Sequence, residues 1–210
     1  MKLRFLFFLF SLAATVWADV NASSQQSEQW SIRVGYGYSD ENDLGQIISM
    51  QPKPHASGTS VGNIDGGYLL KRDAWDLPLD FYLRGGLSRF FENGYQSDFF
   101  EVTVYVKAYW KFQPWDNTIR LGLGEGFSYA CSIPYVEQLE AEKEDDHNSH
   151  FLNYLDISLD IDIGKLMRYA PLEQTYIGYA LKHRSGIYGL INDVRHGGSN
   201  YDLFYIEHDF

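Results

Sequence analysis

Residues 100–112 read FEVTVYVKAYWKF and alternate apolar with polar or tyrosine side chains over 13 positions. Successive side chains of a β-strand point to opposite faces, so every second residue of this segment shares one face. Phe100 and Val104 fall on a wholly apolar face, whereas Glu101 and Lys107 fall on the opposite face. The segment therefore predicts a strand with two chemically different faces, longer than most strands of soluble domains.

Seven further segments show alternation of the same kind, and turn-rich sequence separates them. They are residues 30–38, 57–70, 79–88, 119–128, 155–163, 175–185 and 200–210. After the N-terminal segment, no run of 18 apolar residues occurs that could form a spanning helix. An even number of amphipathic strands is typical of bacterial outer-membrane barrels. The sequence predicts an all-β fold, an eight-stranded antiparallel transmembrane β-barrel.

The polar faces of these strands carry both signs of charge. Their cations are Arg33, Arg84, Lys107 and Arg120, and their anions are Glu101, Asp156, Asp160 and Asp162. Such charges are costly in lipid, but they can pair inside a barrel of eight strands, whose interior side chains can fill. We expect a polar, filled core without a wide pore.

The connections between strands orient the barrel. If the N-terminus starts in the periplasm, the segments 39–56, 90–99, 131–149 and 186–199 lie outside, and 71–78, 113–117 and 164–174 lie in the periplasm. Outer-membrane barrels have longer extracellular loops and shorter periplasmic turns, which agrees with this assignment.

The N-terminus has the pattern of a secretory signal peptide. Lys2 and Arg4 precede an apolar run over residues 5–16, and a small residue, Ala18, comes before a polar segment. We expect residues 1–18 to be a signal peptide and residues 19–210 to form the barrel domain. Together with the strand pattern, this predicts the bacterial outer membrane as the location.

The composition excludes several classes of protein. The chain has 28 acidic against 17 basic residues, a net charge of −11 and no basic cluster, so nucleic acid is not an expected partner. Its single cysteine cannot build a disulfide framework or a cysteine-based zinc site. Six acidic residues lie within 137–146, where a divalent cation is an alternative to a solvated extracellular loop, which is the stronger interpretation.

One charge breaks the strand pattern. Glu125 has the lipid-facing parity of its strand, where a charge near the membrane midplane is destabilising. Gly124 and Gly126 flank it and could form a bulge that turns Glu125 inward. We therefore expect the strand register near Glu125 to differ from simple alternation, so that its side chain points inward. A functional role for Glu125 is the alternative.

The seventh strand places a base beside a nucleophile. Ile177, Leu181, His183 and Ser185 share the face predicted to contact lipid, with His183 and Ser185 at the extracellular end. A histidine next to a hydroxyl at the outer leaflet could attack a lipid ester without removing the lipid from the bilayer. The same pair could instead belong to an interfacial girdle that contacts headgroups.

The C-terminal 30 residues resemble a known family. His183-Arg184-Ser185, Asn192-Asp193, residues 198–201 and residues 203–205 resemble the PagL-type lipid A 3-O-deacylases, acyloxyacyl-hydrolase-like outer-membrane proteins. The resemblance implies an eight-stranded barrel that hydrolyses the 3-O-linked acyl chain of lipid A, with a site on the outer wall that needs no metal or cofactor. His183 and Ser185 match the family's histidine and serine, and Asn192 matches a candidate oxyanion donor.

The family's third catalytic residue, a glutamate early in the last strand, has no counterpart here. Ser199 or Asn200 could orient the imidazole instead, without the negative charge that stabilises an imidazolium. Two hypotheses follow. The chain is a lipid A ester hydrolase with lipopolysaccharide and outer-membrane lipid as its partners, or it is a non-catalytic barrel that binds lipopolysaccharide or supports the envelope.

Overall fold

The fold was obtained as a computed structural model, which describes residues 29–49, 51–195 and 198–210. The predicted signal peptide, residues 1–18, and the first ten residues of the predicted barrel domain lie outside the described residues. The eight strands are β1 (Trp30–Asp40), β2 (Ser60–Lys71), β3 (Leu79–Phe91), β4 (Phe99–Phe112), β5 (Ile119–Ala130), β6 (Phe151–Asp162), β7 (Thr175–Ser185) and β8 (Gly198–Asp209).

The strands form a closed antiparallel barrel. Each strand pairs with the next along the chain, and β8 pairs with β1, so the predicted fold class is confirmed. A path of paired residues that leaves Asp40 crosses His183 on β7 and Glu125 on β5 and returns to β1 at Trp30. Trp30 lies ten residues before Asp40 on β1, so one circuit of the barrel shifts the pairing by ten residues. This stagger means that the strands are tilted relative to the barrel axis.

The two faces of the wall differ as the alternation predicts. On β4, Val102 and Val104 are exposed on the outside, whereas Glu101, Tyr105 and Lys107 are buried inside. The same parity leaves a continuous apolar belt around the described barrel, in which Val104 is 60% and Phe204 72% exposed.

Ion pairs fill the barrel interior. Asp156 binds both Arg33 (2.7 Å) and Lys107, and Arg120 pairs with Asp160 at 2.9 Å, as the sequence predicts. Because each buried charge has an opposite charge or a hydrogen-bond partner, the desolvation that burial imposes is offset.

Three of the predicted interior charges find all of their partners outside that predicted set. Glu101 pairs with Lys182, and Arg84 pairs with Glu207 at 2.9 Å. Asp162 accepts hydrogen bonds from the backbone of Lys165 and Gln174 at the end of β6. The residue spacing assigns these side chains to the interior, but their partners depend on the stagger of the strands.

Inward glycines make room for the interior aromatic rings. A Cβ atom on Gly124 would lie 2.9 Å from the Tyr105 ring, and one on Gly122 would lie 2.9 Å from the Tyr109 ring. Real Cβ atoms do not approach so closely, so these two positions of β5 require glycine. The glycines therefore let large polar side chains from β4 fill the interior.

The connections lie at two ends of the barrel. Residues 41–49, 51–59, 92–98, 131–150 and 186–195 lie at one end of the barrel, the loop end. Residues 72–78, 113–118 and 163–174 lie at the other end, the turn end, together with Trp30 and Phe210. The described parts of the connections contain three α-helices, α1 (Leu44–Ile48), α2 (Tyr135–Glu144) and α3 (Ile163–Met167), and three short 3-10 helices, Ala74–Asp76, Pro114–Asp116 and Ala170–Leu172. No helix in the described part of the chain is long and apolar enough to cross a membrane.

The acidic segment of the loop end differs from the solvated loop that the sequence favours. It forms helix α2, and Glu137 points from this helix into the barrel mouth, where it is buried beside Arg184. Burial raises the pKa of Glu137, and the nearby Arg184 guanidinium opposes this rise. The remaining acids of the helix are far less buried, so one member of the acidic run has a structural role that its composition does not reveal.

Glu125 stays on the outer wall. Its pairing with Val106 and Leu155 continues the regular register of β5, and no bulge turns the side chain inward. The inward bulge considered for Gly124 and Gly126 is therefore wrong. The register shift that does occur lies between Leu69 and Lys71 on β2.

Candidate active site

His183 and Ser185 lie on the outward face of β7 at the loop end. Across β6, His183 pairs with Leu155 and Ser185 pairs with Asn153. Both side chains are half-buried. Residues two apart on one strand face are separated by about 6.5–7 Å along the strand, so the two side chains are neighbours on the outer wall.

Asn200 is the hydrogen-bond partner of the imidazole. It pairs with His183 across the β7–β8 ladder, and His183 Nδ1 lies 2.7 Å from its Oδ1. The Asn200 amide nitrogen donates to the carbonyl oxygen of Asn42 at 3.0 Å, which assigns the oxygen of the amide to the histidine. Because an amide oxygen only accepts, Nδ1 carries the proton and Nε2 holds a free lone pair.

Ser199, the other residue considered for this role, points the opposite way. Adjacent residues of a strand alternate faces, so Ser199 lies inside the barrel and donates to Glu137 at 3.2 Å. It pairs with Arg184 in the β7–β8 ladder. The structure thus brings Asn200 and not Ser199 to His183.

Asn192 lies in the connection between β7 and β8. Its amide nitrogen donates to the Ser149 hydroxyl at 2.8 Å and to the Phe151 carbonyl oxygen at 2.9 Å. An amide nitrogen has two hydrogens, so both have partners here. These bonds hold the connection against the start of β6, and the role of Asn192 as oxyanion donor stays a prediction.

A groove with a volume of about 1190 Å³ contains the two predicted catalytic side chains. Its floor is the outer wall of β5 to β8, and its sides come from α1, α2 and residues 187–195. The lining includes Leu123, Leu155 and Val136 beside polar groups from the wall. An apolar groove with a few converging polar groups is typical of small-molecule and lipid sites.

Two acidic side chains lie close to Asn200. Asp40 pairs with Asn200 across the β1–β8 ladder, and Asp202 lies two residues further along the same face of β8. The Tyr179 hydroxyl donates to Asp202. Negative charge is therefore close to the orienting amide, but among the described residues no carboxylate hydrogen-bonds to the imidazole itself.

Two groove residues, Glu125 and Asn153, are absent from the site that the sequence predicts. Asn153 is only 6% exposed although its position on β6 faces outward, and its side chain hydrogen-bonds to the Glu125 carboxyl group. The alternation of side chains along β5 marks Glu125 as an acid on the outward face, which is unusual. Nothing comparable pointed to Asn153, because its contact with β7 depends on the pairing register.

No group of three or more His, Cys, Asp or Glu side chains in the described ranges is arranged to hold a metal ion. This holds for the acidic residues within 137–146 as well.

Comparison with known proteins shows similarity of structure only. No protein-family model matches the chain, and no curated protein sequence matches it. The crystal structure of the outer membrane enzyme PagL superposes with a TM-score of 0.58 at 9% identity, covering 86% of this chain and 99% of that one.

Two other solved barrels are less similar. The N-terminal β-barrel domain of Pseudomonas aeruginosa OprF has a TM-score of 0.47 at 10% identity and covers 89% of this chain and 100% of that one. Neisserial surface protein A has a TM-score of 0.48 at 13% identity and covers 88% and 98%. The chain has the closed eight-stranded barrel fold that is seen in the outer membrane enzyme PagL.

Proposed function

We propose that the barrel spans a bacterial outer membrane, with residues 1–18 as a signal peptide and residues 19–210 as the barrel domain. The apolar belt supports this location, because an outer wall on which Val104, Leu123 and Phe204 are exposed is unfavourable in water and favourable in lipid. The strand charges that point inward, among them Arg33, Glu101 and Asp156, are buried in the interior, where they do not meet lipid.

We infer that the chain is an ester hydrolase that removes a 3-O-linked acyl chain from lipid A. The observation that carries this proposal is the hydrogen bond from His183 Nδ1 to Asn200, which leaves Nε2 as a base on the same face as Ser185. A histidine held in this tautomer beside a hydroxyl is the arrangement that activates a serine nucleophile.

The reaction uses groups of this chain alone. Ser185 Oγ attacks the acyl carbonyl carbon while His183 Nε2 takes the hydroxyl proton. The resulting imidazolium gives that proton to the departing sugar oxygen, and the acyl group stays on Ser185. Water, deprotonated by the same nitrogen, then releases the fatty acid and restores the serine. The resemblance assigns the developing oxyanion to Asn192 together with a backbone N–H.

The position of the site suits a lipid substrate. His183 and Ser185 stand on the outer wall at the loop end, where the groove floor continues into the apolar belt through Leu123 and Leu155. An acyl chain can therefore lie along the wall while its ester is at the headgroup level. Lipid A of lipopolysaccharide, within the surrounding outer-membrane lipid, is the partner that fits this placement.

One observation favours the second candidate function, a non-catalytic barrel that binds lipopolysaccharide or supports the envelope. The residue that orients His183 is the neutral Asn200, which supplies no negative charge to stabilise the imidazolium. In serine proteases, replacing the orienting Asp by Asn lowers turnover by about 10⁴-fold, although there the change also selects the wrong tautomer. Here the tautomer is the productive one, and this difference supports the hydrolase.

Mass spectrometry of lipid A distinguishes the ester hydrolase from the non-catalytic barrel. Cells that express the chain should carry lipid A lacking one hydroxyacyl chain, and cells that express Ser185→Ala should carry intact lipid A. Ser97→Ala, at an exposed serine of the 92–98 connection, is the matched control and should behave like the parent. Identical spectra for the parent and Ser185→Ala, with both barrels present in the outer membrane, would favour the non-catalytic barrel.

A further inference from the structure

Asn153 lies directly beside the proposed nucleophile. It pairs with Ser185 in the ladder between β6 and β7, and both side chains face outward. Directly opposed residues of antiparallel strands have Cβ atoms about 4.5–5.5 Å apart, which is closer than residues two apart on one strand. Within the strand ladder, the Cβ atom of Asn153 is thus nearer to that of Ser185 than the Cβ atom of His183 is.

Glu125 gives that amide its orientation. The Glu125 carboxyl group on β5 hydrogen-bonds to the side chain of Asn153, and a carboxylate only accepts. One amide N–H of Asn153 is therefore directed towards Glu125. The second N–H remains for a group on the β7 side, where Ser185 lies.

An acid at this position needs an explanation. Glu125 is on the outer wall, where charged side chains near lipid are destabilising by up to about 2–4 kcal/mol for the least favourable cases. Its pairing neighbours Val106 and Leu155 are apolar. Its side chain hydrogen-bonds to Asn153, and a role in holding that amide would explain an acid at this position.

The donor that the resemblance assigns is already engaged. Both hydrogens of the Asn192 amide have acceptors, the Ser149 hydroxyl and the Phe151 carbonyl oxygen. A free N–H has to come from elsewhere in the groove, and Asn153 has one next to Ser185.

We propose that Asn153 is the side-chain oxyanion donor of this site and that Glu125 is a positioning residue that holds its amide. This proposal rests on the proposed ester hydrolysis. When Ser185 Oγ bonds to the acyl carbonyl carbon, the carbonyl π electrons move to its oxygen, and the Asn153 N–H donates to that anion. The electrons return when the sugar oxygen leaves, so Asn153 changes neither its bonds nor its proton.

The test is steady-state kinetics of fatty acid release from purified lipopolysaccharide in detergent micelles. Removal of one oxyanion donor lowers kcat by about 10²–10³-fold, so Asn153→Ala should lose that much kcat with KM within about threefold. Asn153→Asp, which keeps the shape but places a negative charge at the oxyanion, should lose more. Glu125→Ala should lose about tenfold, and Glu125→Gln, which keeps an acceptor oxygen, should lose less.

A second measurement separates an oxyanion role from a structural one. A boronic acid that forms a tetrahedral adduct with Ser185 mimics the charged intermediate, so Asn153→Ala should weaken its inhibition by about the same factor as it lowers kcat/KM. Binding of intact lipopolysaccharide to Ser185→Ala and to Ser185→Ala/Asn153→Ala should be equal. Asn148→Ala, at an exposed amide of the 131–150 connection, is the matched control.

Several outcomes would overturn the proposal. One is a kcat of Asn153→Ala within twofold of the parent, and another is a fall in kcat without weaker boronic acid inhibition. A parent without any esterase activity would instead refute the proposed function, and the two failures are therefore distinct.

Discussion

The two halves of the outer wall use the same strand alternation but carry different chemistry. The path of paired residues that starts at Asp40 passes Asn200, His183 and Glu125 across β8 to β5, with Leu155 as its apolar member. Beyond Glu125 the same path crosses Val106, Leu83, Tyr68 and Trp30, none of which is charged. The site is therefore a polar interruption of a largely apolar outer wall, and it lies on one side and towards one end of the barrel.

The largest expected effect comes from removing the base in the polar half. His183→Ala should lower fatty acid release from lipopolysaccharide micelles by about 10⁴-fold or more, because loss of a catalytic serine or histidine removes the function of the whole set. Leu159→Ala, also outward but in the apolar belt of β6, should keep the parent rate. A His183→Ala rate within tenfold of the parent would remove His183 from the mechanism.

The second prediction places a charge in the apolar half. Val104→Arg should lower the free energy of unfolding by about 2–4 kcal/mol, since Val104 is outward near the middle of β4. Glu125→Leu, the opposite change in the polar half, should leave stability equal or higher. Urea unfolding in lipid vesicles measures both. Equal stability of Val104→Arg and the parent would argue against lipid contact at this position.

The third prediction restores an acid beside the imidazole. Asn200→Asp should raise kcat about tenfold or more, because a carboxylate keeps the hydrogen bond to Nδ1 and stabilises the imidazolium. Ser199→Asp is the matched control, and it should bring no gain because that position faces Glu137 inside the barrel. A lower kcat for Asn200→Asp would show that the bond from Asn200 to Asn42 matters more than the charge.

The smallest expected effect concerns Asn192. Asn192→Ala removes two hydrogen bonds, each with a net value of about 1 kcal/mol, and should make residues 186–195 more sensitive to protease. The rate of deacylation should fall less than tenfold. A loss of 100-fold or more, with an intact loop, would instead assign the oxyanion to Asn192.

Most of the fold could be predicted from side-chain parity. The seventh strand has the predicted bounds, Thr175–Ser185, and the inward and outward faces of β4 are as expected. The face on which a side chain lies depends only on its position along its own strand, so a single sequence is enough to assign it. Among the strand starts, two differ most from the prediction. The Gly-rich β2 begins at Ser60 and not at residue 57, because glycine adds little pattern, and β6 begins at Phe151 and not at residue 155.

The contacts of the site could be predicted only in part. Parity alone separates Asn200 from Ser199 on β8, but the pairing of Asn200 with His183 follows from the register, which depends on all eight strands together. Helix α2 was missed for a similar reason. The only buried charge of this helix, Glu137, is stabilised by Arg184 from a distant strand, and no periodicity in 131–149 signals that contact.

The position of Asn200 on the last strand links the site to the order of assembly. Asn200 reaches His183 on one side and the Asn42 carbonyl just beyond β1 on the other, so its contacts span the seam where the final strand meets the first. The productive tautomer therefore exists only after that seam has closed. On the proposed mechanism, lipid hydrolysis therefore requires the closed seam, because a chain in transit carries the serine and histidine without their alignment.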